Sequence, residues 1–396
     1  MTTSEAPSKK FKIARIIGRL NIGGPARQAC YLHENLAEKF DTVLIAGRID
    51  THEGDMSYLL TSNKGVYWIG SMSRPVRLFS DLASAWAIFR ILRKERPDLV
   101  HTHTAKAGAV GRFAAVLARV PKIVHTYHGN VFRGYFSPFK TWVYIKIERM
   151  LNRFTTRVIA ISDSQASELA EEYKVVARRK VRVVPIGFEF PPVPHAEERM
   201  AARESLGLTQ NQVAVLWAGR FAPIKNVDLL IETIERTHAE VPNLHFLIAG
   251  DGEERDKFSR LEGKSNFTRL GWQTDLARYY AACDIVLLTS NNEGTPATLI
   301  EGMAAARPFV STNVGGVKDL ASPPIEASNA GGQQAQNGFL VSGEASSIVS
   351  CLQQLAASPA LREAMGQAGR TFVTSRHSAE RLSENIETLY IELLQP

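Results

Sequence analysis

The chain reads as an α/β protein built from two doubly wound, parallel-sheet domains, and three observations predict this. Short apolar runs of strand length alternate with helical patterns in both halves of its 396 residues, the pattern of parallel sheets covered on both faces. A proline-rich stretch, PPVPH at 191–195, interrupts the alternation as a linker does. The length suffices for more than one sizeable core, and 44% hydrophobic with 22% charged residues is the balance of a soluble globular protein.

The elements follow in order. In the first half the strand candidates are FKIARII (11–17), TVLIAG (42–47), VYWIG (66–70), DLVHTHT (98–104), KIVHTYH (122–128), RVIAIS (157–162) and VRVVPIG (181–187). Helical patterns such as AKAGAVGRFAAVLAR (105–119) separate most of them. The second half repeats the alternation with VAVLWAG (213–219), LHFLIAG (244–250), DIVLLTS (284–290) and PFVST (308–312). The expected layout is a domain over 1–190, a linker over 191–205, a second domain over 206–375 and a last helix over 376–396. Two such domains would leave a cleft between the carboxyl ends of their strands, where ligands bind in sheets of this kind. No shorter repeat is present, and ASPPIEASNAGGQQAQN (321–337) reads as a surface loop.

The start, MTTSEAPSKK, is polar and lacks the apolar stretch of a secretory signal, and no run approaches the ~20 apolar residues of a spanning helix. Cys30, Cys283 and Cys351 are widely spaced without a CxxC, which fits free, structural thiols in a reducing compartment. A cytoplasmic location is therefore expected.

Charge is unevenly placed. Residues 1–190 carry 30 Lys+Arg against 16 Asp+Glu, net +14, while residues 191–396 carry 17 against 24, net −7. A basic first half points to an anionic partner: lipid headgroups, a phosphorylated acceptor or nucleic acid. No nucleic-acid motif supports the last, and none is expected as a partner. The segment NVFRGYFSPFKTWVYIKIERMLNRFTTR (130–157) interleaves aromatics with Arg and Lys. It reads either as an interfacial patch on an anionic membrane or as a solvated helix whose aromatic stripe faces the core.

The most informative pair is Glu293 and Glu301, eight apart in NNEGTPATLIEGMAAARPFV. Glu293 follows the strand candidate DIVLLTS, and a helix opens at Pro296, a residue suited to the first helical position. Glu301 is the one charge in PATLIEGMAAA (296–306), a stretch apolar enough to be buried, so its carboxylate needs a partner. A ribose diol would serve; a structural salt bridge at Glu301 and a helix-end carboxylate at Glu293 are the alternatives. After VAVLWAG comes GRFAPIKN, which places Arg220 and Lys225 at a strand end, a pair suited to a diphosphate or simply two surface charges. After the first strand, GRLNIGGPARQ places Gly23 and Gly24 where backbone approaches a ligand and a helix amino terminus faces a phosphate. This is not the spaced G-x-G-x-x-G of a nicotinamide site.

His101 and His103 alternate onto one strand face, and His125 and His128 close the next strand. No carboxylate or Cys completes a zinc spacing, so no metal is assigned. His128, before Gly129 at the strand end, is best placed to touch a ligand; the others suit the core or a cleft wall. No two Asp residues stand two apart, which removes a D-x-D metal–diphosphate site and leaves cationic side chains and helix dipoles to neutralise phosphates.

These residues carry a resemblance. GRFAPIKNVDLLIE, IAGDGEER, LGWQTDLARYYAACDIVLLTSNNEGTPATLIEGMAAARP and GGVKDL in the second half, with HTHTAKAGAVGR, HTYHGNVF, AISDSQ and VVPIGFE in the first, resemble a retaining family-4 glycosyltransferase with the two-Rossmann GT-B fold. The likeness spans most of residues 11–390 and is similar to transferases of bacterial surface polysaccharide assembly. It implies that Arg220 and Lys225 bind the donor's diphosphate and that Glu301 accepts the ribose hydroxyls. Glu293 would lie beside the donor sugar, within backbone amides of Gly294, Thr295 and onward to Thr298. Leu270 would hold the base through its backbone, Gly24 would close on the phosphate, and His128 would contact the sugar near the reacting carbon. In such folds the last helix often packs back on the first domain, here 376–396. Two departures stand out: Ala306 where a Gly is usual, and Lys318–Asp319 in place of Pro–Glu.

The implied function is retaining transfer from a nucleotide-sugar, with a UDP-sugar favoured, UDP-N-acetylhexosamine among them, to a glycan or lipid-linked acceptor. The donor is a substrate, and no cofactor or metal is implied. A GDP-sugar donor, an epimerase or phosphorylase on the same fold, and a non-catalytic nucleotide-sugar or polyanion binder are the other readings. Contact with the inner face of an anionic membrane through the basic first half completes the expectation.

Overall fold

Apolar runs bounded by turns became the strands of two sheets. The computed structural model describes residues 10–21, 23–49, 54–73, 75–129, 132, 137–328 and 331–395. The polar start (1–9) and residues 130, 131 and 133–136 of the aromatic–basic segment lie outside the described residues. The chain divides into two compact units, one reaching to Gly187 and including Ala379 onward, the other spanning Phe188–Ser378.

The first unit holds seven strands: β1 (Lys12–Arg19), β2 (Asp41–Gly47), β3 (Val66–Ile69), β4 (Leu99–His103), β5 (Lys122–Tyr127), β6 (Arg157–Ala160) and β7 (Val181–Val183). They pair in parallel in the order β3-β2-β1-β4-β5-β6-β7, so the winding reverses between β1 and β4. Helices α1 (Gly24–Asn35), α2 (Leu78–Glu95), α3 (Ala105–Leu117), α4 (Pro138–Phe154) and the short α5 (Asp163–Ser167) connect them. Alternation along the strands sorts the packing. Ala14, Ile16, Val100 and Ile123 pack with Ile88 and Leu92 of α2 and with Ala107, Ala114 and Ala115 of α3. Ile13, Leu99, Val124 and Ile159 pack with Leu32 of α1 and with Leu382, Ile386, Leu389 and Tyr390 of the last helix.

The second unit holds β8 (Val213–Ala218), β9 (Leu244–Ala249), β10 (Phe267–Gly271), β11 (Ile285–Leu288), β12 (Phe309–Thr312), β13 (Glu326–Ser328), β14 (Gly332–Ala335) and β15 (Gly338–Val341). The order is β10-β9-β8-β11-β12-β15-β14-β13, with a reversal between β8 and β11. Its helices are α6 (Ala196–Ser205), α7 (Val227–Glu240), α8 (Ala277–Ala282), α9 (Ala297–Ala304), α10 (Ala345–Ala357) and α11 (Pro359–Arg376); α12 (Ala379–Leu394) closes the chain in the first unit. Every residue of β8 and β9 is buried, as strands covered on both faces must be.

Three stretches differ from the sequence reading. The loop expected over 321–337 contributes β13 and β14, which extend the sheet in antiparallel fashion onto β15. The linker expected over 191–205 ends in α6, whose Arg199 and Arg203 clamp Asp284 at 2.6 and 3.0 Å, tying it to the second unit. The helix after Glu293 starts at Ala297, with Pro296 as its extended N-cap, and stops at Ala304 rather than 306. The aromatics of α4 divide: Tyr144 packs against the core, whereas Phe139, Trp142 and Phe154 are exposed. All three cysteines are buried, and burial pushes each thiol up to about 12, which makes them inert at neutral pH.

Candidate active site

The second unit builds its site at the point where the winding reverses. The loops leaving β8 and β11 meet there through hydrogen bonds, at the carboxyl ends of parallel strands, where sheets of this kind hold ligands. The β8 loop carries Gly219, Arg220 and a 3₁₀ turn, Pro223–Lys225, before Asn226 caps α7. Backbone bonds zip this loop to the one after β9: Gly219 N–H donates to Ala249 O at 3.0 Å and Phe221 N–H to Asp251 O at 2.9 Å. The approach is so close that a Cβ on Gly250 would stand 1.9 Å from the Gly219 oxygen, and one on Gly252 would stand 2.4 Å from the Phe221 oxygen. The glycines of IAGDGEER are thus required by packing under the β8 loop.

Lys225 is aimed by its surroundings. Buried Trp217 donates from Nε1 to Thr289 Oγ1 at 3.1 Å, and Thr289 donates to the Lys225 carbonyl at 2.9 Å. Lys225 Nζ donates to Glu293 Oε1 at 2.6 Å, and Ser290 Oγ donates to the same oxygen at 2.5 Å. The two charged side chains are largely enclosed, at 22% and 12% exposure, so the pair is stronger than a surface salt bridge. Arg220 is exposed and, among the described residues, forms no ion pair. One cation is therefore held in place and the other is available to an anion.

Glu301 lies on α9, in its second turn, and Tyr280 Oη of α8 donates to its Oε2 at 3.1 Å. Burial first, and then the Glu301 carboxylate, hold the Tyr280 phenol well above its ordinary range, so it stays a donor. Thr298, one turn earlier, donates weakly to the Ala218 carbonyl at 3.4 Å, joining α9 to the end of β8. The Thr295 hydroxyl oxygen is buried without a partner, an open valence at the amino end of α9 that a ligand oxygen or water would satisfy. Gly294 stands between Glu293 and Thr295 in the same loop. Behind them Gly315, at φ +50°, lets its backbone reach the Glu293 carbonyl, where a Cβ would stand 2.0 Å away. Leu270 lies at the carboxyl end of edge strand β10, where a register break between Arg269 and Gly271 drops it from the pairing. Its carbonyl accepts from Gln273 Nε2 at 2.6 Å.

The first unit places its candidates at its own reversal. Gly24 opens α1 with Pro25 in the first turn, and a side chain at Gly24 would meet nothing within 4 Å. Gly23, Pro25, Arg19, Asn21, Thr104 and Lys106 line a cavity of about 250 Å3 here. Beside it, His103 Nδ1 and His128 Nε2 share a hydrogen bond of 2.9 Å. Burial draws the His128 imidazole down to about 3, so the ring is neutral at physiological pH. His101 is spent on structure, bonded to Tyr390 Oη at 2.6 Å and Thr126 Oγ1 at 2.7 Å, and His125 bonds Thr102 Oγ1 at 2.8 Å on the opposite sheet face. The four histidines thus serve three hydrogen-bond networks: His103 with His128, His101 with Tyr390 and Thr126, and His125 with Thr102.

Two family models match the chain: one described as Glycosyltransferase Family 4 over residues 22–189, the other as Glycosyl transferases group 1 over residues 212–358. The chain thus carries a glycosyltransferase family 4 domain followed by a glycosyl transferases group 1 domain. It is 29% identical over 316 residues, 78% of its length and 80% of the relative's, to the Escherichia coli UDP-Gal:α-D-GlcNAc-diphosphoundecaprenol α-1,3-galactosyltransferase. It is 23% identical over 386 residues, 90% and 97% of the two chains, to the Staphylococcus aureus capsular polysaccharide biosynthesis glycosyltransferase CapM. Among solved structures it is similar to Anabaena HepE in complex with UDP and glucose, with a TM-score of 0.75, 21% identity and coverage of 96% and 99% of the two chains. That likeness establishes the GT-B fold.

In this glycosyltransferase, sequence reasoning singled out the charged groups but missed what aims them. Tyr280, Ser290, Trp217 with Thr289, and His103 as the partner of His128 come from positions separated by up to 72 residues in each pairing. Ser290, three residues before Glu293, was the one with a local signal, the end of an apolar strand in S-N-N-E.

Proposed function

We propose that the enzyme transfers a sugar from a UDP-sugar, with retention at the anomeric carbon, to a hydroxyl of a lipid-linked glycan in surface-polysaccharide synthesis. What carries the reading is the convergence at one strand reversal of a Tyr280-anchored Glu301, the Lys225–Glu293 pair, an exposed Arg220 and an orphaned Thr295 hydroxyl. The UDP preference and the acceptor class rest on the relatives: a galactosyltransferase named for UDP-Gal and a diphosphoundecaprenol acceptor, and a structural neighbour bound to UDP and glucose.

Glu301, oriented by Tyr280, would take the ribose hydroxyls. Leu270, released from strand pairing, would meet the base through its backbone. Arg220, Lys225 and the amino end of α9 would hold the diphosphate. In the transfer step the bond from the anomeric carbon to the phosphate oxygen breaks. The acceptor oxygen bonds to that carbon from the same face, and its proton passes to the departing phosphate, which leaves as UDP. Charge that grows on the leaving oxygen is met by Arg220 and by Lys225, already aimed through Thr289 and Trp217. Glu293 then orients Lys225 and the sugar rather than forming a covalent bond. His128, neutral and steadied by His103, would touch the sugar as a hydrogen-bonding group rather than as a charge. With cations supplied by side chains and no paired aspartates, the reaction proceeds without a divalent metal or other cofactor, on the cytoplasmic side where nucleotide-sugars are held.

The test is a transfer assay with labelled UDP- and GDP-sugars, with and without a lipid-linked acceptor and with excess chelator. Acceptor-dependent, chelator-resistant transfer from a UDP-sugar is expected. Sugar interconversion without acceptor would replace the reading with an epimerase, and nucleotide binding without turnover would replace it with a binder.

A further inference from the structure

Three helices on one face of the first sheet leave unusual side chains in water. Of the twenty large apolar side chains exposed among the described residues, eleven lie on α2, α3 and α4: four, two and five respectively. Scattered exposure is ordinary, but this concentration on neighbouring helices is not. On α2, Phe79, Leu82 and Trp86 are 86%, 54% and 61% exposed at helical spacing, and the same stripe continues through exposed Arg90 and Arg93. On α4, Phe139 and Trp142 stack with ring centroids 6.2 Å apart, 73% and 56% exposed, and Lys146 sits over the Trp142 ring at 5.5 Å.

The charges of this face have one sign. Lys140, Lys146, Arg149 and Arg153 of α4 are exposed, whereas its one acid, Glu148, is buried against Arg112 at 2.8 Å. On α2, Asp81 is bound to Lys106 at 2.5 Å and Glu95 to Lys12 at 3.0 Å. The acids are spent inward and the cations face solvent.

We infer that the α2–α3–α4 face of the first unit is a docking surface for an anionic lipid bilayer, with Phe79, Leu82, Trp86, Phe139 and Trp142 entering the headgroup–acyl boundary and the cations pairing with lipid phosphates. Aromatics beside Lys and Arg are the composition of an interfacial helix, apolar enough to insert and basic enough to be held. Charge selects this occupant over a second copy of the chain, because joining two such faces would bring cations against cations. The inference locates on one helical layer what the overall basicity of the first half leaves diffuse. It rests on that surface alone and holds whichever sugar is transferred.

The experiment is co-sedimentation of the full chain, without nucleotide, with vesicles of phosphatidylglycerol and phosphatidylcholine and with vesicles of phosphatidylcholine alone. Binding to the anionic vesicles that weakens with salt is expected. Phe79→Ser/Trp86→Ser/Phe139→Ser/Trp142→Ser lowers it roughly tenfold or more. Arg90→Glu/Arg93→Glu lowers it roughly thirtyfold at low salt. All these positions are exposed, so both variants should keep the circular dichroism of the parent and its turnover of a water-soluble acceptor, which separates this surface from the transfer reading. The inference is overturned by equal binding to neutral vesicles, by no binding of the parent, by unchanged binding of the quadruple variant, or by a concentration-dependent dimer that the quadruple variant abolishes.

Discussion

Replacing Glu301 by alanine removes the one carboxylate of α9, and the structure sets the size of the loss. Oε2 accepts from Tyr280 at 3.1 Å, which orients the carboxylate that the proposed reading gives to a ribose diol. Hydrogen bonds to a charged acceptor contribute about 1.5–3 kcal/mol each. If water partly replaces them in the truncated site, a net loss of about 3 kcal/mol remains, or roughly 150-fold in the Kd of UDP. Truncation also strands the buried Tyr280 phenol, at about 1–3 kcal/mol of folding stability. Titration calorimetry with UDP and 2′,3′-dideoxy-UDP separates the two effects. The parent should discriminate strongly between these ligands, Glu301→Ala should bind both weakly and alike, and Tyr280→Phe should fall between. A Glu301→Ala protein that still prefers UDP over the dideoxy ligand refutes the assignment of Glu301 to the ribose.

Other consequences are as specific. Lys225→Ala should lower kcat about 10²–10³-fold with a smaller change in donor Kd, since its charge is needed most on the departing phosphate; single-turnover rates check this, and an unchanged kcat contradicts it. Ala306→Gly should raise stability by about 0.5–1 kcal/mol in urea melts, because Ala306 sits at φ +57°, where a Cβ is strained and glycine is not. His33 and His128 are drawn down to about 4 and 3, and buried His101, His103 and His125 lie well below their usual value. Stability from these neutral rings is fully present above about pH 6.5 and falls as pH drops toward their folded values. The first unit should therefore lose most of its resistance to urea between pH 6.5 and 5, and a flat stability over that window contradicts the buried neutral state.

What was legible in the sequence was what repeats or is local. Runs such as VAVLWA and DIVLL marked central strands because strands covered on both faces are apolar throughout. Glu293, Glu301, Arg220 and Lys225 stood out because each follows such a run or interrupts an apolar helix. Edge elements did not declare themselves: GQQA of β14 is polar and pairs on the sheet's antiparallel flank. Helix α6 has no buried residue, and two arginines on Asp284, about 80 positions away, hold it in place. Tyr280 lies 21 positions from Glu301, and Trp217 reaches Lys225 only through Thr289, 72 and 64 positions away, since the reversal of strand order brings β8 beside β11. The departure at Ala306 was visible as a residue type, whereas its left-handed backbone was not.

The most direct test of the central claim is the proton NMR spectrum of the product made from an α-linked UDP-sugar in excess chelator. The small anomeric coupling of an α-linked product, with stoichiometric UDP release, is predicted. A β-linked product, or turnover that requires added divalent metal, contradicts it.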